Sequence, residues 1–284
     1  MFPNNPAPGK AGYRRLIVCD LDGTLLNSQK LISPANLAAI RAAREEGHFV
    51  TVCTGRIPEM MEAYIRLLEI EGLFIAANGA VIAGAQGGAM PFCSYADVEE
   101  SRRLLEYCAG RGLEHIVCAT GGCYYSKGSR RIERFEQYNE IAAKDNLRQI
   151  SLVPFGADYG NVRGMRIYKM LVSELAPDEQ RETEEFIAGL GKLGYTSSEP
   201  HLLDINAAGA DKGTGIENLA RLMGFTKEQI CVFGDYRNDI PMFEAAGFSA
   251  AMGNADEEVK RRATIVTGTN DEDGVAMAIK KYLL

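Results

Sequence analysis

Hydrophobic positions along the chain fall into two rhythms. Short continuous apolar runs, RLIVCD at residues 15–20, HFVTVCT at 48–54 and LFIAAN at 73–78, have the texture of strands buried on both faces of a parallel sheet. Between them the spacing turns helical. Ser33-Pro34 supplies an N-cap with proline at the first helical position, Leu37, Ile40 and Ala43 recur on one face, and Gly47 ends the segment. A second helix is predicted from Pro58 to about Glu69. The far end repeats the pattern with a helix from Gly213 to about Met223, the capping pair Thr226 and Gln229, and strand ICVFG at 230–234. A helix at 240–246, strand FSAAM, a helix at 256–262, strand TIVT and a closing helix follow. Strand, helix, strand at these lengths predicts βαβ units, so both ends belong to one doubly wound, Rossmann-like α/β domain around a parallel sheet.

The middle, residues 83–208, has a different texture. Gly-rich GAQGG opens it, a helix spans 98–108, and IVCATGGCYYS reads as a hairpin turning at Gly121-Gly122. A charged helix at 130–145, a strand at 166–172, a helix at 177–190 and strands around YTSSE and HLLDIN complete an α+β insert. The expected organisation is a lead-in over 1–12 without periodicity, read as disordered, a discontinuous α/β domain over 13–82 and 209–284, and an inserted domain over 83–208. An insert of this kind makes an interdomain cleft the expected ligand position.

Composition narrows the class. With 46% hydrophobic and 24% charged residues, the 284-residue chain is an ordinary globular protein. No run approaches the roughly 18 apolar residues of a membrane span, and MFPNNPAPGKAG lacks the apolar centre of a signal peptide, so a cytoplasmic protein with no membrane partner is expected. A net charge of −7, from 31 basic and 38 acidic residues, offers no general basic surface for nucleic acid. Seven cysteines, an odd number, several inside apolar runs, read as reduced thiols; Cys118 and Cys123 flank the Gly-Gly turn and are placed to face each other.

The chemistry gathers where strands end. DLDGT, Asp20 to Thr24, follows the first strand, and GDYRND, Gly234 to Asp239, follows strand 230–234. Carboxylates collected at one sheet edge repel one another unless a cation neutralises them, and an oxygen-rich acidic pocket suits Mg²⁺. Lys212 stands in the first turn of a helix capped by Asp211, where the helix dipole disfavours a cation; a lysine there is placed to reach a phosphate or carboxylate at the strand ends. Thr54-Gly55-Arg56 ends the second strand, with a hydroxyl for a phosphoryl oxygen and a glycine for close backbone approach. His48, His115 and His201 have no metal-ligand spacing.

These four stretches and their spacing resemble the haloacid-dehalogenase-like (HAD) phosphatases. DLDGT is similar to the first motif of that superfamily, Thr54 to the second, Lys212 to the third and GDYRND to the fourth. The long insert resembles the cap of Cof-type, subclass IIB members, which also carry an NGA like Asn78 to Ala80. The resemblance implies a HAD core with an inserted α+β cap and a Mg²⁺-dependent phosphatase acting on a small phosphorylated metabolite, a sugar phosphate or similar. It implies that Asp20 is the nucleophile, forming an aspartyl-phosphate, and that Asp22 is the acid and base. Asp20, Asp235 and the Asp22 backbone carbonyl would hold the metal, and Thr54 and Lys212 would grip the phosphoryl group. Gly23, Thr24, Gly55, Arg56, Asn78 and Asn238 are the candidate phosphate or substrate contacts, and Asp239 is expected to orient Lys212 or a metal-bound water. Two other readings share these residues: phosphomutase-type transfer between hydroxyls, and a phosphometabolite-binding regulator without turnover. The acid at Asp22 favours turnover.

Overall fold

The computed structural model describes residues 12–87, 89–156 and 159–284. The expected lead-in lies outside the described residues but for Gly12, as does Gly88 of the GAQGG stretch. The chain forms two compact units, one of residues 12–55, 65–91 and 211–284, the other of 56–64 and 92–210.

In the first unit, five parallel strands run in the order Ile265–Val266, Phe248–Ala251, Ile230–Gly234, Leu16–Cys19, Phe49–Val52. Leu16–Cys19, Ile230–Gly234 and Phe49–Val52 are buried along their whole length, which is why their sequences are continuous apolar runs rather than alternating ones. Leu16 lies level with both Phe49 and Ile230, so the three strands finish at one edge. The chain winds one way from the first strand to Phe49–Val52, while Ile230–Gly234 takes the other side. That reversal is the switch point where open α/β sheets hold their ligands.

Helix Pro34–Glu45 starts as its sequence predicts, with Ser33 Oγ accepting from the Asn36 amide at 3.1 Å and Pro34 at the first position. Its face of Ala39, Ile40 and Ala43 is buried, and the buried Asn36 side chain accepts from the Ala276 amide of helix Gly274–Tyr282 at 2.9 Å.

Two expectations need correction. LFIAAN continues the parallel sheet only in part. Leu73–Ala76 meets it at one parallel bridge, Ile75 opposite Cys53, and through Thr51 Oγ1 donating to the Leu73 carbonyl at 2.7 Å, but its full-length partner is Val81–Gly84, paired antiparallel. The chain reverses because Ala77, Asn78 and Gly79 all take positive φ, at 50°, 52° and 91°. The helix expected from Pro58 to Glu69 is broken into a short 3₁₀ turn, Pro58–Met60, and helix Glu62–Leu67. The Glu59 carbonyl, which a continuous helix would engage with residue 63, accepts instead from the Tyr138 hydroxyl at 2.6 Å. That bond, with the Tyr168 hydroxyl donating to Glu59 Oε2 at 2.8 Å, ties 56–64 to the second unit. Residues 83–91 stay with the first unit, where Val81–Gly84 holds them to Leu73–Ala76.

The second unit is built on a six-stranded sheet in the order Leu193–Thr196, Leu202–Ala207, Ile167–Ser173, Glu114–Ala119, Gly122–Tyr125, Leu152–Pro154. All neighbours are antiparallel except the last pair. Leu104, Leu105 and Cys108 of helix Val98–Arg111 and Ile187 of Pro177–Ala188 pack with Val117, Met170, Val172, Leu203 and Ile205 of the sheet. The expected hairpin turns at Gly121-Gly122, where φ is 107° and 151°, and sets Cys118 directly opposite Cys123 as buried thiols with sulfurs 3.2 Å apart. Among the described residues no helix is long and apolar enough to cross a membrane.

Candidate active site

The level strand ends bring the motifs together. The Asp20 amide donates to the Phe233 carbonyl at 2.9 Å, carrying the pairing of the two central strands one residue past the sheet. Gly23 then turns the chain with φ of +82°, and a Cβ on it would sit 2.2 Å from Asp235 Oδ2. Only glycine satisfies both the conformation and the contact. Thr24, fully buried, donates from Oγ1 to Asp235 Oδ1 at 2.6 Å, and Asn254 donates to the Gly23 carbonyl at 2.9 Å. The DLDGT loop is thereby wedged against GDYRND from the far end of the chain.

Lys212 opens helix Lys212–Met223, whose N-cap Asp211 accepts from the Thr214 amide at 2.7 Å while Thr214 Oγ1 accepts from the Asp211 amide at 3.0 Å. Its ammonium reaches 2.8 Å from Asp20 Oδ1 and 2.5 Å from Asp239 Oδ1. All three groups are buried. Asp239 is fully engaged, because its other oxygen accepts the Asp235 and Tyr236 amides at 2.8 and 3.0 Å. Gly234 is required there, since a Cβ would lie 2.5 Å from that of Asp239.

Charge at this edge is unbalanced. Oxygens of Asp20, Asp235 and Asp239 lie within 4.8 Å of one another, against one ammonium. Burial raises the Asp20 carboxyl well above its ordinary range; Lys212 opposes that shift, while Asp239 and Asp235 add to it. Burial and then Asp239 push Asp235 up to about 7, against the Thr24 hydrogen bond and Lys212. Burial alone would lower the Lys212 pKa, but the Asp20 and Asp239 carboxylates outweigh it and raise it. This donor set fits a hard divalent cation. Asp20 gives one oxygen to Lys212 and Asp235 one to Thr24, so each has a second oxygen to offer, and carboxylate oxygens suit Mg²⁺.

A third segment joins the edge. The buried Thr54 donates its amide to the Ile75 carbonyl at 3.1 Å and accepts from the Asn78 amide at 3.0 Å. Asn78 Oδ1 accepts from Asn238 Nδ2 at 3.1 Å and would stand 3.0 Å from a Cβ on Gly55. Two expected residues have partners beyond the buried cluster. Arg56 belongs to the second unit, its guanidinium 4.9 Å from the centre of the Tyr64 ring. Asp22 is 41% exposed at its side chain and pairs with Lys30 at 2.9 Å, while its charge adds to the upward shift of Asp235. Lys30 and Asn254 were not legible as site residues. Each contacts a motif residue through folding, and NSQKL and MGNAD carry no local pattern to mark them.

Comparison with known proteins gives the family. Residues 17–279 match the haloacid dehalogenase-like hydrolase family, so the chain belongs to it. It is 32% identical to the Bacillus subtilis 5-amino-6-(5-phospho-D-ribitylamino)uracil phosphatase YwtE over 95% of this chain and 98% of that one. It is 27% identical to the Escherichia coli pyridoxal phosphate phosphatase YbhA, over 95% and 99%. Among solved structures, a haloacid dehalogenase-like hydrolase from B. subtilis superposes with a TM-score of 0.82 at 28% identity, covering 94% of this chain and 99% of that one. A subclass IIB sugar phosphatase does so at 0.77 and 26%, over 94% and 98%. The protein is an enzyme of the phosphoric monoester hydrolase class, on a HAD core with a Cof-type insert.

Proposed function

We propose that the chain hydrolyses the phosphate monoester of a small metabolite through an aspartyl-phosphate on Asp20, with Mg²⁺ as cofactor. The observation that carries this is the buried Asp20 carboxylate, fixed by Lys212 at 2.8 Å beside Asp235 at the switch point of the sheet. One Asp20 oxygen attacks phosphorus as the bond to the leaving oxygen breaks, and Asp22 gives that oxygen a proton. In the second half Asp22 takes a proton from water as the water oxygen attacks the aspartyl-phosphate. Inorganic phosphate leaves and Asp20 is regenerated. The Lys212 ammonium and Thr54 hydroxyl bind the phosphoryl oxygens through both steps. Asp239 acts through Lys212, aiming its ammonium. Asp20, Asp235 and the Asp22 carbonyl would hold Mg²⁺, which when bound offsets the charge of the carboxylates and the phosphoryl oxygens. Gly23 and Thr24 seat Asp235; Gly55, Asn78 and Asn238 are the substrate contacts in this reading.

The phosphatases among the relatives favour hydrolysis over transfer between hydroxyls, and their named substrates set the panel. Phosphate release is measured from sugar phosphates, pyridoxal phosphate and 5-amino-6-(5-phospho-D-ribitylamino)uracil, with Mg²⁺ and with a chelator. Release that depends on Mg²⁺ and falls about a thousandfold or more in Asp20→Asn, with the fold intact, is expected. Full activity in Asp20→Asn removes it as nucleophile, and silence across the panel from folded, Mg²⁺-loaded protein refutes the reading.

A further inference from the structure

Asn78 combines features that a merely structural residue lacks. It is 0% exposed, it adopts φ of +52° and ψ of +41°, and its side-chain Nδ2 has no hydrogen-bond partner. A left-handed backbone costs a non-glycine residue free energy, though asparagine tolerates it better than most. Ala77 before it takes φ of 50°, with no polar side chain to ease the cost. A buried amide N–H without an acceptor is a further penalty, and native structures seldom keep one without a use.

The turn sits where three functional loops converge. Its backbone holds Thr54 through the 3.0 Å bond from the Asn78 amide. Gly79 presses on the start of the Lys212 helix so closely that a Cβ there would lie 1.8 Å from the Asp211 carbonyl oxygen. On the helix side, a Cβ on Gly215 would come within 2.7 Å of the Gly79 Cα. The Asn78 Oδ1 is taken by Asn238, so the only unmet capacity of the side chain is its N–H donors. Thr54, Asn238 and the start of the Lys212 helix are thus each held against this turn, and the unpartnered Asn78 Nδ2 stands 3.5 Å from where a Cβ on Gly55 would lie.

We infer that the Asn78 side-chain amide donates a hydrogen bond to an oxygen of the bound phosphoryl group, beside Thr54 and Lys212. This rests on the phosphatase reading, since it takes the ligand to be a phosphate held at the strand ends. The acceptor missing from the buried Nδ2 is then supplied by the substrate. The left-handed turn is the cost of presenting that donor while Oδ1 stays on Asn238.

Two substitutions separate the donor from the scaffold. Asn78→Gly adopts the same backbone without strain and removes the whole side chain. Asn78→Asp keeps tolerance of the left-handed conformation and an oxygen for Asn238 Nδ2, but replaces the N–H donors by a carboxylate oxygen that repels phosphate. The readout is binding of inorganic phosphate by calorimetry to full-length protein in saturating Mg²⁺, alongside thermal unfolding of each variant. A hydrogen bond to a charged group is worth enough that both variants should bind phosphate about tenfold or more weakly. Binding within twofold of wild type in Asn78→Asp, or in a folded Asn78→Gly, overturns the inference. Were Asn78→Gly to unfold, Asn78→Asp alone decides it. A wild type that releases phosphate from substrates while the variants bind it normally sinks this inference and spares the phosphatase reading. A wild type that binds phosphate but hydrolyses nothing does the reverse, and one that neither binds nor releases phosphate overturns both.

Discussion

Replacing Lys212 by methionine tests whether the site is organised by charge balance. The ammonium is 1% exposed, with carboxylate oxygens of Asp20 and Asp239 at 2.8 and 2.5 Å. At an effective dielectric constant of about 20, Coulomb's law gives roughly 6–7 kcal/mol of attraction for each contact, before the cost of drying the three groups is subtracted. Removing one partner of such a buried cluster leaves uncompensated charge, and a loss of about 3–5 kcal/mol at pH 8 is expected, or roughly 5–8 °C in melting temperature for a chain of this size. The loss depends on pH in a definite direction. Asp20 already titrates well above the ordinary carboxyl range, and without Lys212 it moves higher still. A carboxyl whose folded pKa lies above its unfolded value contributes stability that is present below the unfolded range near pH 4. That stability is lost as pH rises toward the folded pKa. The variant is therefore less compromised at pH 5 than at pH 8, by about 1–3 kcal/mol. Urea unfolding without Mg²⁺ at both pH values measures it. A loss under about 1 kcal/mol, or one equal at pH 5 and pH 8, would refute the argument that Lys212 balances the buried carboxylates.

Three further outcomes follow from the same geometry. Gly23→Ala puts a methyl 2.2 Å from Asp235 Oδ2 at φ of +82°, so Asp235 must move by about 1 Å; a stability loss of about 1–3 kcal/mol with at least tenfold weaker Mg²⁺ binding is expected. Wild-type Mg²⁺ affinity in that variant would show that Asp235 does not need its present position. Because Asp235 titrates near pH 7 without metal, Mg²⁺ binding should tighten between pH 6 and pH 8 and release close to one proton per ion at pH 6. Calorimetry in two buffers of different ionisation enthalpy reads this directly, and binding at pH 6 without proton release contradicts it. Removing Mg²⁺ with a chelator should lower the melting temperature more at pH 8 than at pH 6, since the carboxylates need the cation most when ionised.

The positions of Asp20, Asp235, Lys212 and Thr54 were legible from local signals. A buried parallel strand announces itself as an apolar run, the chain must leave the sheet where that run stops, and the polar residues just beyond it stand at the sheet edge. Helix starts were equally local, because Ser33 and Asp211 cap amides three residues away. The sequence by itself thus determined the alternation of elements, their parallel pairing and the gathering of carboxylates at one edge.

What only the tertiary structure decided are choices between partners far apart in the chain. Lys212 reaches Asp20 and Asp239 together because strands 16–19 and 230–234 lie side by side and end level. Asp22 turned outward to Lys30, Arg56 fell in the other unit, and Leu73–Ala76 took an antiparallel neighbour, none of which nearest-neighbour preferences encode. The left-handed turn at Ala77–Gly79 shows the reason. An alanine and an asparagine do not choose positive φ by themselves. They hold it because Thr54 on one side, Asn238 on another and the Lys212 helix against Gly79 fix the turn. Short-range propensity sets which elements form; packing across more than a hundred residues sets which side chains meet.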